Sequence, residues 1–120
     1  MLKRIRNIIK TALSEDIGTG DVTTRATVSP MKKGRALAIA KDDFVVAGLD
    51  VFEETFRCLD KSIRVRKLMR DGSRVKKGAV IAEVTGSLAH ILQAERVALN
   101  LLQRMSGIAT LTAKYVKAVR

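Results

Sequence analysis

The chain has 120 residues, a net charge of +11, 47% apolar residues and 3% aromatic ones, which fits one ordinary domain with a core of Ile, Val, Leu and Ala. No apolar run reaches the roughly 18 residues that span a bilayer, no uninterrupted apolar stretch follows the charged start Lys3-Arg4-Ile5-Arg6 as in a secretory signal, and the single Cys58 excludes an internal disulfide and fits a reducing cytoplasm. The positive charge attracts anions, but it is spread along the chain and accompanied only by Phe44, Phe52, Phe56 and Tyr115 as stacking groups, which argues against nucleic acid as a partner.

In chain order, Leu2, Ile5, Ile9, Ala12 and Leu13 recur at helical spacing, with Lys3, Arg4, Arg6 and Lys10 on the other side; this predicts an amphipathic helix. Gly18 and Gly20 are expected to end it, and Glu15 to Thr24 reads as an ordered loop. Ala36 to Lys41 and Phe44 to Ala47 read as strands joined through Asp42-Asp43. Gly48 to Leu59 returns to a helical period, with Leu49, Phe52, Phe56 and Leu59 on one face.

Ile63 to Met69 is a strand candidate, and turns follow at Asp71-Gly72 and Lys77-Gly78. Val75 between those turns predicts a small hairpin tucked against a sheet, and Val80, Ala82 and Val84 form the buried face of the next strand. From Leu88 the pattern is helical and apolar around most of its girth, which predicts burial on several sides. One polar stripe interrupts it: Gln93, Arg96, Asn100 and Gln103. After Ser106-Gly107, Ile108, Leu111, Thr112, Tyr115, Val116 and Val119 continue the helical period to the end without a cap, so the natural protein is expected to go on. The whole reads as an α+β domain.

Arg96 carries the strongest chemical signal. A guanidinium among apolar residues is costly to desolvate unless it meets a carboxylate or phosphate. Glu95 adjoins it in sequence but not on the helix surface. Arg96 therefore either pairs with a carboxylate elsewhere in the fold or binds an anionic ligand. The acidic loop Glu15, Asp16 and Asp21 lacks the regular oxygen ligands of a calcium loop and reads as structural, held by side-chain bonds to backbone. His90 has no second His or Cys for a zinc site or dyad, and Cys58 reads as packing. No nucleophile, base and orienter stand together.

Four stretches, in order, resemble quinolinate phosphoribosyltransferase, also called carboxylating nicotinate-nucleotide pyrophosphorylase. They are Glu15-Asp16-Ile17-Gly18-Thr19-Gly20-Asp21-Val22-Thr23-Thr24; Val46-Ala47-Gly48-Leu49; Asp71-Gly72 through Lys76-Lys77-Gly78; and Ala94-Glu95-Arg96-Val97-Ala98-Leu99-Asn100 through Ser106-Gly107-Ile108-Ala109-Thr110. The resemblance implies an amino-terminal α/β sandwich, hammerhead-like and with antiparallel strands, over residues 1–87. It further implies linking helices over 88–120 that lead into an α/β barrel absent from this chain.

The implied enzyme makes nicotinate mononucleotide, carbon dioxide and pyrophosphate from quinolinate and phosphoribosyl pyrophosphate in NAD biosynthesis. Magnesium is bound with phosphoribosyl pyrophosphate, with no ligands in this chain. The resemblance also implies a homo-oligomer in which Arg96 reaches the neighbouring subunit's site and binds a quinolinate carboxylate, and in which the 120-residue chain alone is inactive. Three other readings stand beside it. A related molybdenum-transport-associated protein shares these motifs; biotinyl and lipoyl carrier modules have similar wording around Asp71 to Val84; and a basic nucleic-acid-binding domain is the third.

Overall fold

The computed structural model describes residues 2–20, 31–106 and 113–119. Helix α1 spans Leu2–Gly20, strand β1 Lys33–Ala40, β2 Phe44–Val45, α2 Leu49–Leu59, β3 Arg64–Lys67, β4 Arg74–Val75, β5 Val80–Ser87, α3 Leu88–Met105 and β6 Ala113–Val119. The main sheet is antiparallel throughout, in the order β3-β5-β1-β6, and β2 and β4 form a separate two-stranded ribbon. The α+β expectation with antiparallel strands holds.

Alternation builds the sheet's core face. Ala36, Ala38 and Ala40 of β1 are buried while Arg35, Leu37 and Ile39 between them are half-buried, the period of a strand with one covered face. These small side chains let α3 come close, and a Cβ on Gly34 would stand 2.7 Å from the Leu88 side chain. On β5, both Ile81 and Ala82 are buried and Val80 only half-buried, so the expected face of Val80, Ala82 and Val84 needs correction. The reason is a bulge. The pairing steps from Ala38↔Ala82 to Ile39↔Val80, which leaves Ile81 as an extra residue and reverses the side-chain parity beyond it.

Helices α2 and α3 pack on each other, with α3 against β1 and β5 and α2 against β3, and α1 lies across both helices. Ile9 and Leu13 of α1, Leu49, Phe52 and Phe56 of α2, and Ile91, Ala94, Val97, Ala98 and Leu102 of α3 share one cluster with the sheet residues. Phe52 and Phe56 meet edge to face with ring centres 5.2 Å apart. Residues on both sides of position 87 thus belong to one core.

Three further expectations are corrected. Residues 15–20 continue α1 rather than forming a loop, so Gly18 does not end the helix. A glycine inside a helix costs only about 1 kcal/mol, and the preceding turns are anchored by buried Ile9 and Leu13. The stretch 71–84 turns twice at Gly72 and Gly78, both with positive φ. It forms no hairpin of its own, because β4 pairs with the distant β2. The segment 113–119 is a strand, not a helix, and pairs with β1 from Gly34↔Val119 to Ala40↔Ala113. Backbone groups along β1's edge need partners, and Tyr115, Val116 and Val119 are residue types that suit a strand as well as a helix. The motif residues Asp21 to Thr24 and Gly107 to Thr110, with Leu111 and Thr112, lie outside the described residues.

Candidate functional site

Helix α3 is capped by Ser87, whose hydroxyl accepts a hydrogen bond from the His90 backbone N–H, the usual cap for orphan donors at a helix start. One face of α3 is buried through Ala94, Val97, Ala98 and Leu102, while Arg96 and Asn100 are exposed and Gln93 and Gln103 half-buried. The helix is therefore covered on one side rather than on several. The Arg96 side chain is 71% exposed, so it is not a guanidinium sealed among apolar groups.

Arg96 stands at the rim of an open cleft of about 530 Å³ between α1 and α3. Ala12, Val97 and Leu101 supply its apolar lining, and Glu15, Asp16, Arg96, Asn100 and Arg104 its polar groups. Arg96 Nη1 donates to Asp16 Oδ1 at 3.4 Å. The carboxylate partner left open by the sequence is thus Asp16, supplied by the helical turn that the sequence pattern had assigned to a loop. Arg104 was missed by sequence reasoning. Its signal was present, because it lies four residues after Asn100 and eight after Arg96, on nearly the same helix face.

The other motif stretches meet at the start of α2, and their work there is structural. Asp71 Oδ1 accepts from the Leu49 backbone N–H at 3.1 Å, satisfying an orphan donor of the first turn. Ser106 Oγ accepts from Ala47 N–H at 3.1 Å and donates to the Ala47 carbonyl at 3.3 Å. Gly72 N–H donates to the Val46 carbonyl at 2.8 Å. Gly48 sits at φ 93° with Met105 Cβ and Sδ 2.8 Å from where a Cβ would stand, so glycine is required there for both conformation and space.

His90 Nδ1 lies 2.7 Å from Asp60 Oδ2, and Asp60 Oδ1 accepts from the Ser62 hydroxyl at 2.6 Å and the Ser62 backbone N–H at 2.9 Å. Hydrogen bonds from Ser62, then from His90, hold the Asp60 carboxyl down at about 2. Cys58 is half-buried, and burial followed by the neighbouring Glu54 carboxylate raises its thiol pKa, which disfavours the thiolate and agrees with a packing role. Among the described residues no group of three His, Cys, Asp or Glu is arranged to hold a metal ion. No helix among them is long and apolar enough to cross a membrane.

A family model described as "Quinolinate phosphoribosyl transferase, N-terminal domain" matches residues 21–106. The chain belongs to the quinolinate phosphoribosyl transferase family. Among its relatives in that family, the mitochondrial quinolinate phosphoribosyltransferase [decarboxylating] 2b of Nicotiana tabacum is 43% identical over 115 residues, which are 95% of this chain and 33% of the relative. The chloroplastic nicotinate-nucleotide pyrophosphorylase [carboxylating] of Arabidopsis thaliana is 45% identical over 109 residues, 90% of this chain and 31% of the relative. The crystal structure of NadC from Streptococcus pyogenes superposes with a TM-score of 0.84 at 35% identity, covering 92% of this chain and 39% of that one. The chain spans about a third of the length of the curated relatives it matches.

Proposed function

We propose that this chain is the amino-terminal part of an enzyme that converts quinolinate and phosphoribosyl pyrophosphate to nicotinate mononucleotide, carbon dioxide and pyrophosphate. Its contribution is Arg96, which binds a quinolinate carboxylate in the site of a neighbouring subunit. The observation that carries this reading is the exposed guanidinium at the cleft rim. It makes one 3.4 Å contact to Asp16, which leaves most of its five donors free to form the fork that matches a carboxylate. Asn100 and Arg104 line the same cleft, and Arg104 balances the second carboxylate there, Glu15.

The reading also includes a homo-oligomer, a barrel following this domain, and magnesium bound with phosphoribosyl pyrophosphate by residues beyond those described. A single free cysteine supports a reducing compartment such as the cytoplasm, although the relatives just described are named for mitochondria and chloroplasts. The carrier reading loses its support. Lys67, the lysine of the Lys67-Leu68-Met69 stretch before the first turn, is tied to Asp50 and Glu53 on α2, and the exposed Lys76 and Lys77 at the second turn have no methionine beside them.

The test is steady-state kinetics in the protein that carries this chain. Arg96→Ala should lower kcat/KM for quinolinate by about 30-fold or more, the scale for removing one partner of a charge-assisted pair. The melting temperature should barely move, because the side chain is exposed. Unchanged saturation by quinolinate would remove Arg96 from the site. Turnover of a different substrate with no activity on quinolinate would favour the molybdenum-associated relative.

A further inference from the structure

We propose that Asp16 is a positioning residue for Arg96: its carboxylate holds the guanidinium at the cleft rim so that the remaining donors are presented to the substrate. The inference rests on the reading of Arg96 as a quinolinate ligand.

Three features of the contact argue for positioning. The first is asymmetry of exposure, since the Asp16 side chain is 20% exposed and the Arg96 side chain 71%. The carboxylate is the enclosed partner and the guanidinium the exposed one. The second is economy of donors. Only Nη1 of Arg96 reaches Asp16, at 3.4 Å, so the planar fork keeps unused donors for a ligand carboxylate. A carboxylate that competed with substrate would occupy the fork with two parallel bonds.

The third feature is anchorage. Asp16 stands within one turn of Leu13, and Ile9 lies a further turn back; both are buried in the common core, so the carboxylate is carried by a packed stretch of helix. Glu15 lines the same cleft and adds negative charge beside the pair. An exposed arginine loses substantial rotamer freedom when it binds a ligand. A neighbour that already restricts it removes part of that loss before substrate arrives.

The experiment uses the protein that carries this chain. Asp16→Asn keeps the shape and removes the charge, and it should raise KM for quinolinate about three- to tenfold with kcat unchanged. Asp16→Glu should restore much of the affinity, and added salt should narrow the gap between wild type and Asp16→Asn because exposed pairs are screened. In an Arg96→Ala background, Asp16→Asn should add nothing, the coupling expected if it acts through Arg96.

If Asp16→Asn leaves KM unchanged while Arg96→Ala raises it, the proposal is overturned and the reading of Arg96 stands. A fall in KM on Asp16→Asn would also overturn it, showing a competitor instead of a support. If Arg96→Ala itself leaves quinolinate kinetics untouched, the underlying reading fails and this one falls with it. Equal loss of kcat and thermal stability in Asp16→Asn, without rescue by Asp16→Glu, would assign Asp16 to folding alone and overturn the proposal.

Discussion

Asp60 shows how much one carboxylate can tie together. It closes the C-terminal end of α2, receives two bonds from Ser62 and meets His90 in the first turn of α3. Its carboxyl is held at about 2, against an unfolded value of 3.8. A depressed folded-state pKa means that the stabilisation is fully present above the unfolded value and is lost as pH falls through the folded one. Thermal melts between about pH 5 and pH 2 should therefore show a loss of stability that Asp60→Asn lacks in part. Gly48 is the second residue with a sharp expectation. At φ 93° with Met105 2.8 Å from a would-be Cβ, Gly48→Ala should cost about 2–3 kcal/mol by denaturant unfolding. Gly72, also at positive φ but with open space around it, should cost less on the same substitution.

At the scale of elements, α1 offers an internal control. Ile8 and Ile9 are neighbours in sequence, yet Ile8 is 61% exposed and Ile9 fully buried. Ile9→Ala should destabilise by about 2–4 kcal/mol and Ile8→Ala by less than about 0.5, measured as shifts in urea midpoint. The stripe expected from the helical period, Leu2, Ile5, Ile9, Ala12 and Leu13, contains Ile9, while Ile8 had no assignment. The period did less well near the end of the chain. Tyr115, Val116 and Val119 satisfy a helical spacing and also carry strand propensity, and a short apolar run does not distinguish the two. Pairing with β1 decided for the strand. The bulge at Ile81 had no sequence signal either, because it arises from how β5 must register against β1.

The molecule as a whole carries +11, and ion pairs such as Arg6–Glu54, Arg66–Glu83, Lys67–Asp50 and Arg96–Asp16 each have one partner that is half or more exposed. Such pairs contribute about 0–1 kcal/mol each, so they do not offset the repulsion among unpaired cations by much. Raising ionic strength from about 20 to 200 mM should raise the melting temperature, since screening weakens self-repulsion more than it weakens a few surface pairs. A fall in melting temperature over that range would show that the pairs dominate. At the cleft between α1 and α3 the charges balance locally, with Glu15 and Asp16 facing Arg96 and Arg104.

The sequence by itself determined the α+β class, the apolar faces of α1 and α2, the two glycine turns, the polar stripe of α3 and the family, because each rests on local period, local turn chemistry or motif order. Only the tertiary structure decided that Asp16 is the carboxylate beside Arg96, that Arg104 shares its cleft, and that Val46 to Leu49, Asp71-Gly72 and Ser106 join at the start of α2. It also decided that β4 pairs with β2 and β6 with β1. The physical reason is common to all of these. They are contacts between residues far apart in the chain, fixed by which helix faces and strand edges remain to be covered once the local elements have formed.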